Sequence, residues 1–277
     1  MFERSIDIDV RGIRTVCHLA GSGQPLLMLH GSGPGASVES TWRFILNRLT
    51  DRFAIYAPDL IGFGLSGNNP AVPAFDPDLW LEQALAVIDR MPEGPIMVFG
   101  HSISGFTALR LPSRVRRIAG VLTTGTMGVR YDQNAFTTLT WNLPRTREDL
   151  RAALQTLVHD KSRIDDEFVK QRFELLSDSG AAQSFDAMFP GDKQQYIDRC
   201  VLSDDEIAGI TCPVLLTHGK SDVIIRASDT TLSLAQRIPQ ADVYLLAACG
   251  HLPATERPDT MAALAANFFE AALPPAA

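Results

Sequence analysis

The sequence contains few cysteines, and they are far apart. None belongs to a C-x-x-C pair, so their spacing predicts neither a disulfide framework nor a zinc site. We therefore expect a protein of the reducing cytoplasm. The four are Cys17, Cys200, Cys212 and Cys249.

Long hydrophobic runs and excess positive charge are also missing. No stretch approaches the roughly 20 apolar residues of a membrane span, and the N-terminal MFERSIDIDV is charged where a signal peptide is apolar. We expect neither secretion nor a membrane partner. The 25 Lys and Arg against 32 Asp and Glu give a formal net charge of −7, which argues against a nucleic-acid partner. An anionic ligand would therefore need a local cation.

What the chain does have is a regular alternation of short apolar runs and helical patterns. This alternation predicts an α/β fold with a mostly parallel sheet covered on both faces by helices. Two further strands joined by Arg11-Gly12 predict a hairpin at an antiparallel edge. The eight predicted strands lie near 4–10, 13–20, 26–30, 53–59, 96–100, 118–125, 213–219 and 242–247.

The alternation is interrupted once. Between about 126 and 209 the chain holds charged amphipathic segments such as REDLRAALQTLV and no convincing strand. We interpret 126–209 as an inserted helical lid (cap), with 1–125 and 210–277 as the two segments of one core domain. The alternative is a second helical domain without a catalytic role.

A candidate nucleophile lies between a predicted strand and a predicted helix, in the sequence Gly100-His-Ser-Ile-Ser-Gly105. Small residues there predict a tight turn that holds Ser102 in a strained conformation with its hydroxyl exposed. The usual G-x-S-x-G pattern has glycine where this chain has Ser104. The amino end of the following helix favours developing negative charge.

A second glycine-rich loop, His30-Gly-Ser-Gly-Pro-Gly35, follows the first core strand. Its backbone amides can approach a substrate oxygen. We predict an oxyanion hole formed by the amides of Ser32 or Gly33 together with that of Ile103. His30 itself is expected to form hydrogen bonds within the loop.

A serine hydroxyl needs a base, and the base needs an orienting acid. His251 follows the last predicted strand and Asp222 follows the strand before it, so both leave the same end of the sheet. The chain order Ser102, Asp222, His251 is the order expected for this architecture. We expect packed or solvated side chains for His18, His159 and His218 and a loop-stabilising role for Asp59, which follows another strand.

Five motifs occur along the chain in the order HGSGPG, PDLIGFGLS, GHSISG, HGKSD and CGH. In this set and order of motifs the sequence resembles the α/β-hydrolase superfamily along nearly its whole length. Within this superfamily, three segments resemble the hydrolases that cleave a carbon–carbon bond in meta-cleavage products. These products are the 2-hydroxy-6-oxohexa-2,4-dienoates formed in aromatic degradation. The segments are the HGSGPGAS loop leading to TWR, the GFG-S segment and the stretch DDEFVKQRFELL.

The resemblance implies an eight-stranded sheet, a small-molecule substrate, no cofactor or metal, and often a homodimer. It also implies that Arg172 binds the substrate carboxylate. Three pocket positions differ from the family pattern. Thr41, His101 and Leu252 stand where relatives have Asn, Asn and Trp.

Several functions stay open from the sequence. The leading hypothesis is carbon–carbon hydrolysis, and the first alternative is a carboxylesterase or lactonase. Epoxide hydrolases and haloalkane dehalogenases are disfavoured, since they use aspartate where Ser102 stands. A non-catalytic ligand-binding protein and a cofactor-free oxygenase on the same fold complete the alternatives.

Overall fold

The fold is built on one eight-stranded sheet in the order β1-β2-β4-β3-β5-β6-β7-β8. It is seen in a computed structural model that describes residues 2–177 and 180–273. The pairs β1–β2 and β2–β4 are antiparallel, and the other neighbours are parallel, which confirms the predicted sheet. The strands are β1 (Arg4–Val10), β2 (Ile13–Ala20), β3 (Gln24–Leu29), β4 (Phe53–Pro58), β5 (Ile96–His101), β6 (Ile118–Thr124), β7 (Val214–Gly219) and β8 (Ala241–Leu246).

Helices connect the strands and cover both faces of the sheet. Short 3₁₀ turns occur at Leu46–Arg48, Leu111–Ser113 and Lys161–Arg163. The α-helices are α1 (Val38–Trp42), α2 (Pro77–Ile88), α3 (Ile103–Arg110), α4 (Ala135–Trp141), α5 (Arg147–Thr156), α6 (Asp166–Ser177), α7 (Ala181–Met188), α8 (Gln194–Asp198), α9 (Asp204–Ala208), α10 (Thr231–Arg237), α11 (Pro253–Glu256) and α12 (Pro258–Ala272).

The central strands are apolar throughout because helices pack on both of their sides. All six residues of β5 are buried. Its Val98 belongs to an apolar cluster shared with α2 and α3, whereas the neighbouring Phe99 belongs to a cluster shared with α1 and α12. Alternate residues of one strand thus anchor helices on opposite faces of the sheet.

The hairpin at the sheet edge has the predicted turn. Arg11 (φ 54°) and Gly12 (φ 79°) both have positive φ, as a two-residue type I′ turn requires. The strands on either side then pair from Arg4 opposite Leu19 to Val10 opposite Ile13.

Among the residues that the structure describes, the helices α4 to α9 lie in succession between β6 and β7. This part of the described chain adds no strand to the sheet. Among the described residues, no helix is both long enough and apolar enough to cross a membrane. Residues of α4 and α6 and the end of α5 contact loops that follow the carboxyl ends of β3 and β8.

Candidate active site

Ser102 sits at the junction of β5 and α3 in the strained conformation predicted for it, with φ 57° and ψ −123°. The turn is tight, since a Cβ at Gly100 would lie 2.6 Å from the Ser104 carbonyl oxygen. Ser104 fits where the usual pattern has glycine because its hydroxyl donates to the His30 carbonyl at 2.5 Å. The departure from G-x-S-x-G therefore leaves the turn intact.

The structure brings the predicted serine, histidine and aspartate together from three strand ends. The Ser102 hydroxyl lies 3.0 Å from His251 Nε2, and His251 Nδ1 lies 2.6 Å from Asp222 Oδ2. His251 and Asp222 are both buried. In this geometry His251 can accept the serine proton while its other nitrogen donates to the carboxylate.

The environment of Asp222 keeps its carboxylate ionised. Burial by itself raises the pKa of Asp222, but the charge of His251 and hydrogen bonds from His218 and His251 outweigh burial and hold the pKa well below its usual range. The other oxygen, Oδ1, accepts from the backbone amides of Ile224 at 2.9 Å and Ile225 at 3.1 Å. Asp222 is therefore suited to stabilise a protonated His251.

The predicted oxyanion loop lies directly beside the nucleophile. A Cβ at Gly31 would lie 3.1 Å from Ser102 Cβ, so the loop backbone approaches the serine closely. Ile103 is the first residue of α3, and its N–H has no acceptor within the helix. The amides of Ser32 and Gly33 come from the facing loop, an arrangement that suits the predicted oxyanion hole.

His30 and Asp59 stabilise the surrounding loops, as expected from the sequence. His30 Nδ1 contacts the Gly31 carbonyl at 2.7 Å, and its Nε2 accepts from the Leu60 amide at 2.9 Å. Asp59 accepts from the backbone amides of Val38 and Leu65 at 2.8 and 2.9 Å. Neither side chain is left for proton transfer.

A small cavity above Ser102 collects most of the predicted site residues. It leaves about 40 Å³ for water-sized groups, which is room for about three water molecules. Asp222 lies behind His251, and the Ile103 side chain is not part of the wall. The predicted residues in the wall are Ser32, Gly33, Thr41, His101, Ser102, Arg172, His251 and Leu252.

Arg172 reaches this cavity from α6 and is only 4% exposed. Its Nε donates to the Pro34 carbonyl at 3.0 Å, and no carboxylate among the described residues pairs with it. Burial lowers the pKa of the Arg172 guanidinium, and the charge of Arg43 acts in the same direction. A Cβ at Gly33 would lie 3.2 Å from Arg172 Nη2, which places this cation against the oxyanion loop.

His101 fills the position before the nucleophile. Its Nδ1 lies 2.8 Å from the Thr124 hydroxyl, and its ring centroid is 4.9 Å from that of His251. Burial and the charge of His251 hold the pKa of His101 well below its usual range, so the imidazole is neutral at pH 7. A neutral imidazole can donate or accept a hydrogen bond from a ligand in the cavity.

Several site residues were missed by sequence reasoning. Tyr131 and Trp141 line the cavity, and the Trp141 indole N–H donates to the Ser32 hydroxyl at 3.1 Å. Both come from the segment between β6 and β7 (125–213, called the insertion below), where no motif marks them. His218, expected to be a packed or solvated side chain, contacts Asp222 directly and lies four residues before it in the chain.

Glu256 was also missed, although it connects the insertion to the loop that carries His251. Its carboxylate accepts from the backbone amides of His159 and Asp160, both at 2.8 Å, and of Gly250 at 2.6 Å. The Leu157 carbonyl adds a further link, because it accepts from the His251 amide at 2.7 Å. The His251 loop is thus held by the insertion as well as by the core.

We predict that Glu256→Gln lowers the free energy of unfolding by about 1–3 kcal/mol, because the amide replaces one acceptor oxygen with a donor that faces buried N–H groups. Urea denaturation measures the loss. Glu270→Gln, at an exposed ion pair with Arg52, is the control and should stay within about 0.5 kcal/mol. Equal stability of the two variants would contradict the assigned role of Glu256.

Fold and site together define an α/β hydrolase with a serine nucleophile candidate. A family model described as the alpha/beta hydrolase family matches residues 26–264, and the chain belongs to this family. It is 32% identical over 267 residues to the 2-hydroxymuconate semialdehyde hydrolase of Pseudomonas sp. (strain CF600), covering 95% of this chain and 93% of that one.

Solved structures agree with these sequence matches. The meta-cleavage product hydrolase from Pseudomonas fluorescens IP01 superposes with a TM-score of 0.90 at 28% identity and 98% coverage of both chains. The 2-hydroxy-6-oxo-6-phenylhexa-2,4-dienoate hydrolase from Rhodococcus sp. strain RHA1 gives a TM-score of 0.87 at 26% identity, with 98% of this chain and 100% of that one covered.

Proposed function

We propose that this protein hydrolyses a carbon–carbon bond in a meta-cleavage product, a 2-hydroxy-6-oxohexa-2,4-dienoate with a small substituent on C6. The observation that carries the proposal is the buried Arg172 guanidinium, which has no acidic partner among the described residues and shares a cavity wall with Ser102 and His251. Such a cation is stabilised by a bound carboxylate. Relatives named as hydrolases of these acids match most of the chain.

The substrate must first become a diketone. Loss of the proton from the 2-hydroxyl group and gain of a proton at C5 give ketones at C2 and C6, with a double bond between C3 and C4. C5 can then leave with the bonding electron pair, because the charge is delocalised to the C2 oxygen. Arg172 holds the carboxylate at C1 during these steps, and neutral His101 and Thr41 contact the polar end of the dienoate.

Ser102 then attacks the C6 carbonyl while His251 takes its proton and Asp222 orients His251. The amides of Ile103 and of Ser32 or Gly33 stabilise the oxyanion. Breaking of the C5–C6 bond gives an acyl-enzyme and a dienolate, which takes up a proton. Water, activated by His251, releases the second acid and restores Ser102. The scheme uses no metal and no cofactor.

In the same proposal, 126–209 acts as a lid over the core segments 1–125 and 210–277, and supplies Arg172, Tyr131 and Trp141 to the site. Leu252, on the core side, contributes an apolar wall. A homodimer and a cytoplasmic location stay predictions from the sequence and its family resemblance.

The size of the cavity predicts which substituent is preferred. Tyr131, Trp141 and Ile225 are bulky side chains in the same cavity wall as Ser102, so dienoates with hydrogen or methyl on C6 should exceed the phenyl dienoate in kcat/KM by about 10-fold or more. The loss of the coloured dienoate, followed by absorbance with purified protein, measures each value. Equal or higher kcat/KM for the phenyl compound would refute the small-substituent part of the proposal.

Aryl acetates complete the same substrate panel and separate carbon–carbon hydrolysis from the nearest alternative. If the protein turns over p-nitrophenyl acetate but bleaches none of the dienoates, it is a carboxylesterase or lactonase. If bleaching of a dienoate yields the two expected acids in equal amounts, the proposed bond cleavage is established.

A further inference from the structure

His218 is a fully buried histidine that the triad scheme does not use. It lies on β7, four residues before Asp222, and its side chain has no exposed surface. Its Nε2 lies 3.0 Å from Asp222 Oδ2 and 2.8 Å from the Ile225 carbonyl oxygen. Its Nδ1 lies 2.7 Å from the Thr231 hydroxyl on α10. Every polar atom of the imidazole therefore has a partner.

These partners determine where the ring proton is. The Asp222 carboxylate and the Ile225 carbonyl can only accept hydrogen bonds, so Nε2 of His218 carries the proton. The Thr231 hydroxyl is able to donate to Nδ1, and no other acceptor for it is found among the described residues. His218 therefore donates from Nε2 to Asp222.

The same contacts show what Asp222 would lose without His218. Its Oδ1 is held by two backbone amides, whereas Oδ2 is shared by His218 and His251. The carboxylate plane is therefore held from both sides, and His251 alone does not determine the position of Oδ2. A donor to Oδ2 that does not move during catalysis keeps this oxygen in place when His251 gains and loses its proton.

We propose that His218 is a positioning residue for the triad, which donates from Nε2 to hold Asp222 in the orientation that directs His251 toward Ser102. The inference rests on the proposed hydrolase function but not on the identity of the scissile bond. A purely structural role, in which His218 only joins β7 to α10, makes different predictions for a set of four variants.

His218→Asn and His218→Gln form the central comparison. The shorter Asn places its amide near the Nδ1 position, where it reaches Thr231 but not Asp222, whereas Gln places a donor near the Nε2 position. We expect His218→Asn to lower kcat by about 10- to 100-fold, as for loss of a hydrogen bond to a charged group. KM should change by no more than about twofold, because His218 does not touch the substrate. His218→Gln should recover most of kcat.

Two further variants separate positioning from stability. Thr217→Val removes a buried hydrogen bond from the same strand, from the Thr217 hydroxyl to the Thr123 carbonyl at 2.7 Å, and should cost stability without lowering kcat. Thr231→Val keeps His218 in place but removes the donor to Nδ1, and should lower kcat by about 3- to 10-fold. It also serves as the test if the His218 variants do not fold.

The readouts are chosen so that the inference does not depend on the natural substrate. They are kcat for a dienoate and for p-nitrophenyl acetate, the rate at which a fluorophosphonate labels Ser102, and the downfield proton resonance of the His251–Asp222 hydrogen bond. If dienoates are not cleaved but esters are, the proposed function fails and the His218 comparison still stands on the esters and the labelling rate.

We expect kcat and the labelling rate to fall together in His218→Asn, and the downfield resonance to shift or broaden. In His218→Gln we expect both rates to recover. The inference is overturned if folded His218→Asn keeps wild-type kcat and labelling rate. It is also overturned if Gln is no better than Asn, or if Thr217→Val lowers kcat as much as His218→Asn does.

Discussion

Ser102→Ala is expected to lower kcat by about four to six orders of magnitude for dienoates and for aryl esters alike. The substitution removes the oxygen that lies 3.0 Å from His251 Nε2, and among the described residues no other hydroxyl or thiol forms a hydrogen bond with the His251 ring. Burial raises the pKa of the Cys249 thiol to about 12, so this cysteine stays protonated. Steady-state absorbance assays and a fluorophosphonate probe measure the loss.

The matched control is Ser113→Ala, at a serine whose hydroxyl donates to the Arg110 carbonyl at 2.8 Å beyond the end of α3. It should keep full activity and full labelling. If folded Ser102→Ala retained substantial hydrolysis, serine catalysis would be wrong for this protein. Oxygen consumption that survived Ser102→Ala would instead support the cofactor-free oxygenase considered from the sequence.

The second large effect is expected for Arg172→Leu. Removing the cation should lower kcat/KM for a carboxylate-bearing dienoate by about 100- to 1000-fold, as for loss of one partner of a buried charge pair. Turnover of neutral p-nitrophenyl acetate should change by no more than about threefold, because this ester presents no anion to Arg172. The ratio of the two values of kcat/KM measures the specificity for the acid.

Two companion variants complete the Arg172 test. Arg172→Lys keeps the charge but loses the planar fork of donors, and should fall between wild type and Arg172→Leu for the dienoate. Arg163→Ala removes a half-exposed arginine from the same insertion and should leave both substrates unaffected. A parallel fall of dienoate and ester activity in Arg172→Leu would show that Arg172 supports the site structure rather than binding the carboxylate.

Much of the fold and the three candidate catalytic side chains were predictable from sequence because each depends on a local pattern. Short apolar runs such as the one in β5 identify strands that are buried on both faces. The consistent placement of Ser102, Asp222 and His251 just after strands then predicts that they meet at one edge of the sheet, and the hydrogen bonds join them there.

The rest of the site depends on contacts between distant segments, which no local pattern specifies. Trp141 reaches Ser32 across 109 positions of the chain, and Glu256 binds amides 96 and 97 positions away. The contact of His218 with Asp222 is not between distant segments, because the two residues are only four positions apart. It was missed because a strand residue and a loop residue at this spacing meet only if the intervening turn folds back.

The Leu157 carbonyl accepts hydrogen bonds from the amides of His251 and Leu252, at 2.7 and 3.2 Å, so the position of His251 depends on the segment between β6 and β7. Any displacement of the insertion that admits a substrate and moves Leu157 also pulls on the loop that carries the base. In the structure these hydrogen bonds are formed while His251 Nε2 lies 3.0 Å from the Ser102 hydroxyl.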